Sequence, residues 1–432
     1  MAKPGDRVKI TRKKGSEEGI LMPSSNKNII LLKLDNGYNI GFEKKEVTKM
    51  SVLKSKETEQ KKSLPKIIKN PNLPTIAILH TGGTIASKVD YRTGGVAAEF
   101  APEELISLFQ ELQQIANIES ELIAQMWSDD LRFAHFSLIA KAIERQVSKK
   151  VKGIIIGMGT DNLAVAAAAL SFIVEKSPIP IILVGAQRSS DRGSSDAAMN
   201  LICAAEFITK TDFGGVAICM HEHASDATCA ILPACKTYKL HSSRRDAFQA
   251  VNSAALARVD YQTRKITFLQ NGYPKCAEKL ILKPKMEDKV GLLKIHVSMF
   301  PEQFSFFKDK RYKGLIIEGT GLGHTPGQAP NKESIIHKKI YPAIKRLVDS
   351  GCAVVMTTQC IFGGVNMNVY DKGRDLMGLG IISGRDMLAN TALVKLSWLL
   401  ANHPRKEIEK LMGENLRGEI NPQIQYQENF LK

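Results

Sequence analysis

The sequence lacks long hydrophobic runs, and this absence excludes a membrane-spanning helix. The longest candidate, Leu163–Val174, has 12 residues and contains Ser171, whereas about 20 apolar residues are needed to cross a bilayer. The first residues lack the apolar core of a signal peptide, and the seven cysteines include no CxxC pair. Scattered free thiols are typical of a reducing compartment, so we expect a cytoplasmic protein with no membrane contact.

Motifs for cofactors and metals are also missing. There is no Walker A sequence, and neither Gly157-x-Gly159 nor Gly319-x-Gly321-x-Gly323 completes a dinucleotide-binding fingerprint with an acidic residue at the right distance. His221-Glu222-His223 is not an HExxH motif, and no third metal ligand stands out. We therefore expect neither a metal site nor a bound cofactor in this chain.

Basic residues are abundant and unevenly distributed. The net charge is +16, and residues 1–72 hold 17 Lys and Arg residues against 8 Asp and Glu residues. A basic segment at one end of a chain favours a polyanionic partner such as RNA. A lysine-rich surface that merely contacts water is the alternative, and it is common in proteins from hot habitats.

The first 50 residues have the pattern of a small β domain. Short apolar runs such as Asn28–Leu34 are separated by turn signals at Gly15-Ser16 and Asp35–Gly37. Four or five short strands at this spacing favour an SH3-like barrel or a related OB-like barrel over residues 1–50. Residues 51–72 are charged and then proline-containing, which predicts a linker.

From residue 73 onward, the pattern changes to strands that alternate with helices. Uninterrupted apolar strands with helical crossovers predict an α/β fold with mostly parallel sheets. Asn271–Asp288 breaks the rhythm, so we expect a first domain over residues 73–275, a smaller α/β domain over 289–415 and a tail over 416–432. The strand candidates are Thr75–Leu79, Gly153–Met158, Ile179–Val184, Val216–Met220, Gly291–Val297, Leu315–Ile317 and Cys352–Met356, and the helix candidates include Phe136–Ser148, Asn162–Lys176 and Ala197–Phe207.

The stretch Leu79–Ser87 is the strongest candidate for a reactive site. It places Thr81 and Thr84 around two glycines directly after a buried strand, at the edge where open α/β sheets bind ligands. A threonine there can attack a carbonyl carbon if a base takes its proton, and nearby N–H groups can stabilise the oxyanion. The alternative is a tight turn with polar residues and no chemistry.

A second predicted strand, within Gly153–Asn162, is also followed by glycines and a threonine. Here the threonine, Thr160, is directly followed by the carboxylate of Asp161. Asp161 could instead serve only as a helix cap. Because the carboxyl ends of parallel strands lie at one edge of a sheet, Thr81 and Thr160 are expected to meet there.

A lysine within Cys235–Phe248 is the candidate base. A desolvated lysine close to an aspartate and hydroxyl groups can lose its proton and act in that role. The alternative for any one lysine is ordinary exposure to solvent.

Several spaced motifs resemble the L-asparaginase/glutaminase family. Thr81–Ala86 and Gly159–Asn162 are similar to its two signature motifs, and the resemblance extends from about Pro74 to Leu400. Further similar blocks are Gly185–Arg188, Ser242–Phe248 and Thr358–Tyr370.

The basic barrel in front of this region, together with Glu318–His324, resembles a narrower family, the D subunits of archaeal glutamyl-tRNA(Gln) amidotransferases. The resemblance implies a ligase component that hydrolyses glutamine to glutamate and ammonia. The ammonia would pass to an E subunit, which uses ATP and Mg²⁺ to convert Glu-tRNA(Gln) into Gln-tRNA(Gln). It also implies contact with tRNA(Gln) and a homodimeric core within a heterotetramer.

The same resemblance assigns roles to individual residues. Thr81 matches the family's nucleophile, Thr160 and Asp161 match its second threonine and the adjacent aspartate, and Lys239 rather than Lys236 matches its lysine. Leu322 lies near the position where an asparagine of the neighbouring subunit completes the pocket in asparaginases. The residues expected to bind substrate are Ser128, Asp129 and Tyr91.

Two other functions compete with this interpretation. One is a free-standing cytosolic L-asparaginase/glutaminase that carries an added barrel. The other is a non-catalytic tRNA-binding scaffold built on an enzyme fold. The presence of Thr81, Thr160, Asp161 and Lys239 argues against the scaffold.

Overall fold

The structure is a computed structural model. It describes residues 2–13, 15–24, 26–35, 38–55, 69–82, 111–188 and 194–424, and it gives the backbone of two short strands within 87–98. Tyr91, which the sequence suggests as a substrate-binding residue, lies outside the described residues.

The N-terminal domain is a five-stranded antiparallel sheet. Its strands follow the order β4-β3-β2-β1-β5, and alternate residues such as Val8, Ile10, Leu32 and Phe42 point inward to form its core. The strands are β1 (Arg7–Arg12), β2 (Gly15–Met22), β3 (Ile29–Lys33), β4 (Asn39–Glu43) and β5 (Val47–Lys54). Strand β5 pairs with β1 along its whole length and so crosses the position where the sequence suggested that the linker begins.

The second domain is built on an eight-stranded sheet. Its β-strands are β6 (Thr75–His80), β7 (Ser87–Val89), β8 (Val96–Ala98), β9 (Asn117–Leu122), β10 (Gly153–Gly157), β11 (Val174–Lys176), β12 (Ile181–Val184), β13 (Val216–His221), β14 (Thr228–Pro233), β15 (Thr237–Lys239), β16 (Phe248–Ala250), β17 (Ala257–Asp260), β18 (Ile266–Phe268) and β19 (Ile281–Leu282). Its α-helices are α1 (Leu112–Ile115), α2 (Phe133–Ser148), α3 (Leu163–Ile173) and α4 (Ala197–Lys210).

The sheet order is β18-β17-β14-β13-β12-β10-β6-β9. Five neighbouring strands of this sheet run parallel, namely β9, β6, β10, β12 and β13. The other three, β14, β17 and β18, each pair antiparallel with their neighbours. Apolar side chains of β10 and β12 are buried on both faces, because helices cover the sheet from both sides. The α/β class and the small β domain predicted from the sequence are confirmed.

The third domain contains a parallel four-stranded sheet in the order β20-β21-β22-β23. Its elements are β20 (Val290–Lys294), α5 (Glu302–Asp309), β21 (Gly314–Gly319), α6 (Ile340–Asp349), β22 (Ala353–Thr358), α7 (Asp371–Gly378), β23 (Ile382–Ser383), α8 (Ala389–Asn402) and α9 (Ile408–Gly413). The part of the chain that the structure describes contains no helix long and apolar enough to span a bilayer.

One helix is shorter than its sequence pattern suggested. The Ala-rich segment was expected to remain helical to Lys176, but α3 ends at Ile173 and the chain continues as β11. The β-branched Val174 pairs with Leu282 in β19. Tertiary pairing with a distant strand therefore overrides local helix propensity here.

The two α/β domains share a buried interface. Helix α3 is apolar on every face apart from Ser171 and packs against α8, with the rings of Phe172 and Trp398 5.9 Å apart. A buried ion pair crosses the same interface, because Lys236 Nζ donates to Asp386 Oδ2 at 2.6 Å while both side chains are nearly inaccessible to water. Thr391 Oγ1 also donates to the Cys235 carbonyl at 2.9 Å. These contacts fix the third domain against the second.

Loss of one member of the buried ion pair is expected to destabilise the protein strongly. In Lys236→Met the Asp386 carboxylate keeps its burial and loses its cation, so the free energy of unfolding should fall by about 3 to 5 kcal/mol. Lys345→Met is the matched control, since Lys345 pairs with Asp349 on an exposed helix face and should change stability by less than about 1 kcal/mol. Urea denaturation followed by circular dichroism measures both values, and equal effects would contradict the account.

Candidate active site

Thr81 lies at the carboxyl edge of the large sheet. Strands β6 and β10 are adjacent and parallel, with His80 opposite Gly157. The Thr81 backbone N–H donates to the Gly157 carbonyl at 3.1 Å, and the Thr81 carbonyl accepts from Met126 N–H at 3.0 Å. Gly82 follows with a φ of +96°, which a side chain would disfavour. The chain therefore turns sharply directly after a buried threonine.

The second threonine lies at the end of the neighbouring strand and contacts a lysine. Lys239 Nζ is 2.8 Å from Thr160 Oγ1 and 2.8 Å from Asp161 Oδ1. Thr160 is buried and the Lys239 side chain is 14% exposed, whereas the Asp161 side chain is 71% exposed. An amine, a hydroxyl and a carboxylate thus lie in contact at the edge of the sheet, as the sequence suggested.

The position of Lys239 follows from a small antiparallel pair of strands. Lys239 is the last residue of β15 and lies opposite Phe248 of β16, whose side chain is fully buried. Leu240 N–H donates to the Ala247 carbonyl at 2.7 Å and closes this hairpin. Lys236, the other lysine considered for the role, points into the domain interface and pairs with Asp386. The geometry therefore places Lys239, and not Lys236, beside the second threonine.

Ser128 comes from a third loop and approaches the second threonine loop closely. Its Oγ accepts from Asn162 N–H at 3.3 Å, and its carbonyl accepts from Asn162 Nδ2 at 2.8 Å. A Cβ atom on Gly159 would lie 2.8 Å from Ser128 Oγ, so only glycine allows this approach. Ser128 is buried, while Asp129 next to it is exposed. Both therefore lie on a loop that adjoins the Thr160 turn.

His80, directly before Thr81, is a buried polar residue that the sequence did not single out. Neither of its ring nitrogens has a hydrogen-bond partner among the described residues. Burial lowers the pKa of His80, because a charged ring would lose its hydration. The ring therefore favours its neutral form beside the candidate nucleophile.

Gln187 is a site residue whose role the sequence did not reveal. Thr160 Oγ1 donates to Gln187 Oε1 at 3.4 Å, so the hydroxyl that receives the Lys239 contact also faces this amide. Gln187 belongs to the Gly185–Arg188 block that resembles the family. The sequence motif therefore includes Gln187, but the direction of its side chain depends on tertiary structure.

Two cavities adjoin these elements. One of about 150 Å³ is lined by Asp161, Lys239 and residues of the domain interface that include Thr391. A larger cavity of about 830 Å³ lies in the third domain. Leu322 lines the larger cavity, and none of the predicted catalytic residues does. Of the predicted catalytic residues, Asp161 and Lys239 line the smaller cavity, and the two threonines do not.

The His221-Glu222-His223 segment does not form a metal site in the part of the chain that is described. His221 is fully buried and directs its nitrogens at Asn200 Oδ1 (2.6 Å) and Asp226 Oδ1 (3.2 Å). No group of three His, Cys, Asp or Glu side chains among the described residues is placed to hold an ion.

Comparison with protein families gives three matches that together span most of the chain. Residues 75–272 match the N-terminal asparaginase domain, and residues 289–412 match the C-terminal domain of glutaminases and asparaginases. Residues 2–53 match the GatD N-terminal domain.

Curated relatives align over nearly the full length. The D subunit of the glutamyl-tRNA(Gln) amidotransferase of Methanococcus maripaludis is 41% identical over 97% of this chain and 98% of its own length. The protein of the same name from Archaeoglobus fulgidus is 42% identical over 98% of this chain and 96% of its own. That from Pyrococcus furiosus is 42% identical over 97% and 95%.

Solved asparaginases share the two α/β domains. The thermostable L-asparaginase from Thermococcus kodakarensis superimposes with a TM-score of 0.71 at 27% identity, covering 81% of this chain and all of its own. L-asparaginase I from Vibrio cholerae gives 0.68 at 26% identity, covering 81% and 99%. Each asparaginase is thus covered almost completely, while about a fifth of this chain has no counterpart in it.

Substitution of Gly159 is expected to weaken substrate binding. The new Cβ atom in Gly159→Ala would lie within 2.9 Å of both Oγ and Cβ of Ser128. Ser128 would therefore have to move by several tenths of an ångström. We expect KM to rise about tenfold or more, with a smaller change in kcat. Gly378→Ala is a control, since nothing lies within 4 Å of a Cβ atom there and the φ of Gly378 is not positive. An unchanged KM in Gly159→Ala would contradict the role of Ser128.

Stability is expected to fall as the pH is lowered from about 7 to about 5. Burial lowers the pKa of both His80 and His221. Below the ordinary histidine pKa of about 6.5, the unfolded chain binds protons at these positions and the folded chain does not. His80→Gln should reduce the slope of unfolding free energy against pH. An identical slope in His80→Gln and in the unmodified protein would refute the assignment.

Proposed function

Because this chain belongs to the family of D subunits of glutamyl-tRNA(Gln) amidotransferase, we propose that it hydrolyses glutamine at the Thr81–Thr160–Lys239 site and delivers the ammonia to a partner. Its two α/β domains match those of glutaminases and asparaginases. The single observation that carries the catalytic assignment is the contact of Lys239 Nζ with Thr160 Oγ1 and Asp161 Oδ1, both at 2.8 Å.

Acylation begins with attack by Thr81 Oγ on the side-chain amide carbon of glutamine. The new C–O bond forms while the Thr81 proton passes through Thr160 to the amine of Lys239. The 2.8 Å separation between Thr160 Oγ1 and Lys239 Nζ serves a proton that moves in either direction. Backbone N–H groups at the glycine turn after Thr81 hold the oxyanion, and each such donor is worth about 3 to 4 kcal/mol in comparable sites.

Collapse of the tetrahedral intermediate breaks the C–N bond. The leaving nitrogen takes the proton from Lys239 and departs as ammonia, and an ester joins Thr81 to the glutamyl group. Water then attacks the ester carbon, loses a proton to the same Thr160–Lys239 pair and releases glutamate, while Thr81 Oγ regains its proton. Atoms and charges balance without an external oxidant or reductant.

Substrate orientation is assigned to the exposed edge of the site. Ser128, Asp129 and Asp161 lie on two adjoining loops. The two carboxylates suit the α-ammonium group of a free amino acid, and the Ser128 hydroxyl can donate to its α-carboxylate. The side chain of Asp161 is largely exposed and can therefore contact a ligand while it also contacts Lys239. We assign to Tyr91 a further contact with the substrate, on the resemblance alone.

The acceptor chemistry requires a second protein. Formation of an amide from a carboxylate needs activation, usually by ATP, and the sequence has no Walker A motif. We assign ATP and Mg²⁺ to an E subunit, which would receive ammonia from this chain and act on Glu-tRNA(Gln). The surplus of positive charge in residues 1–72 favours contact with tRNA(Gln) or with that partner. A heterotetramer around a homodimeric core, in the cytoplasm, completes the proposal.

The extra N-terminal domain favours an amidotransferase component over a free-standing asparaginase. The solved asparaginases have no counterpart for about a fifth of this chain, whereas the curated D subunits align with 97% or more of it. Ammonia release from glutamine and from asparagine, each with and without partner and misacylated tRNA, separates the two functions. A rate from asparagine that neither addition changes would favour the free-standing enzyme.

Replacement of the nucleophile should abolish turnover without loss of structure. Thr81→Val keeps the shape of the side chain and removes the hydroxyl, so kcat for glutamine should fall by a factor of about 10⁴ or more, with KM little changed. Thr209→Val is the matched control, because Thr209 Oγ1 only bonds to carbonyls of its own helix. Ammonia release assayed by a coupled dehydrogenase gives both values, and near-normal turnover in Thr81→Val would refute the nucleophile.

A further inference from the structure

We propose that Asn200, acting through the buried carboxylate of Asp196, is a positioning residue that holds Gln187 against Thr160 during amide hydrolysis. The inference rests on the proposed function, because it assigns to Asn200 an effect on the Thr160–Lys239 pair. Asn200 lies on helix α4 and contacts none of the predicted catalytic side chains through the hydrogen bonds of the described residues.

The turn that carries Gln187 packs directly on Thr160. A Cβ atom on Gly185 would lie 2.8 Å from Thr160 Cγ2, so the backbone of the turn already touches the methyl group of this threonine. Two residues later, Gln187 Oε1 accepts from Thr160 Oγ1 at 3.4 Å. The turn therefore restricts both branches of the Thr160 side chain, and a shift of the turn would move the hydroxyl away from Lys239.

The Asp196 carboxylate binds backbone N–H groups of this turn. Its two carboxylate oxygens each accept from Gln187 N–H at 3.0 Å, and one also accepts from Arg188 N–H at 3.0 Å. Asp196 is the N-cap residue of α4, yet its side chain makes no capping hydrogen bond. An aspartate at that position usually accepts from the first turn of its own helix. Here the fully buried carboxylate instead binds the turn that faces the site.

Asn200 fixes the direction of that carboxylate. Its Nδ2 donates to Asp196 Oδ2 at 3.2 Å and to the Gly185 carbonyl at 3.0 Å. Its Oδ1 faces His221 Nδ1 at 2.6 Å and accepts from Cys229 Sγ at 3.4 Å. Since Oδ1 can only accept, His221 must carry its proton on Nδ1. One fully buried amide thereby joins the turn to strands β13 and β14.

This arrangement has a specific kinetic consequence. The loops that carry Ser128 and Asp161 have no hydrogen bonds to Asn200 among those described, so loss of the amide leaves the groups assigned to bind the substrate in place. Loss of the Asn200 amide frees the turn that carries Gln187, so that Thr160 can move away from Lys239. Because a displacement of about 1 Å in a catalytic group can lower the rate about 100-fold, the effect should appear in kcat and not in KM.

The test compares Asn200→Ala, Gln187→Ala and the double variant in steady-state glutamine hydrolysis. We expect kcat to fall about 10-fold to 100-fold in each single variant, with KM changed less than about threefold. The double variant should lose no more than the stronger single variant, because both act through one contact.

Cys203→Ala is the matched control for a purely structural role. Cys203 is fully buried on the same helix, and its thiol contacts Cys229, which donates to Asn200 Oδ1. Its truncation loosens the packing of α4 and of this thiol, while the hydrogen bonds of Asn200 and Asp196 to the turn remain. We expect kcat per folded molecule to stay unchanged in this variant. The proposal is overturned if Cys203→Ala and Asn200→Ala lower kcat equally, if the losses of Asn200→Ala and Gln187→Ala multiply, or if KM alone changes.

Failure of the proposed function would give a different result. In that case the unmodified protein releases no ammonia from glutamine or asparagine. A crystal structure of Asn200→Ala then decides the inference by geometry alone. A separation between Thr160 Oγ1 and Gln187 Oε1 that exceeds the 3.4 Å of the intact protein supports it, and an unmoved turn overturns it.

Discussion

The contact of Lys239 with Thr160 and Asp161 is the interaction on which the proposed function depends. It joins a residue at the end of a short hairpin to two residues at the end of a central parallel strand, 78 and 79 positions apart. Because the Lys239 side chain is only 14% exposed, its amine needs polar partners in the protein. The sheet supplies these partners because parallel strands end at one edge, where β6 also delivers Thr81.

The same edge explains why so much of the site consists of glycines and small polar residues. Gly159 and Gly185 let neighbouring loops approach Thr160 more closely than any Cβ atom would allow. Close packing then makes the direction of the hydroxyl depend on hydrogen bonds in the next layer, which Asp196 and Asn200 provide. In the proposed site, a buried polar network therefore supports the geometry of the reacting groups.

Much of this arrangement could be predicted from the sequence, for identifiable reasons. Strand β6 is apolar on both faces and is closely followed by glycines. The sequence therefore predicts both a buried strand and its end at the edge of the sheet. Lys239 was preferred to Lys236 by motif similarity alone, and the buried pair of Lys236 with Asp386 supplies the physical reason. The antiparallel half of the large sheet and the early end of α3 at Ile173 were not predictable, because both depend on pairing with distant strands. The link from Asn200 to Gln187 was missed because it depends on side-chain directions that spacing does not encode.

The central claim is that Thr160 and Lys239 act as one proton-transfer unit. It is tested most directly by a double-mutant cycle on kcat with Thr160→Val, Lys239→Met and the combined variant. If the two residues form a unit, the combined variant should be no slower than the slower single variant, so that the two losses do not add as free energies. Losses that multiply fully would show that the two groups act independently and would contradict the account.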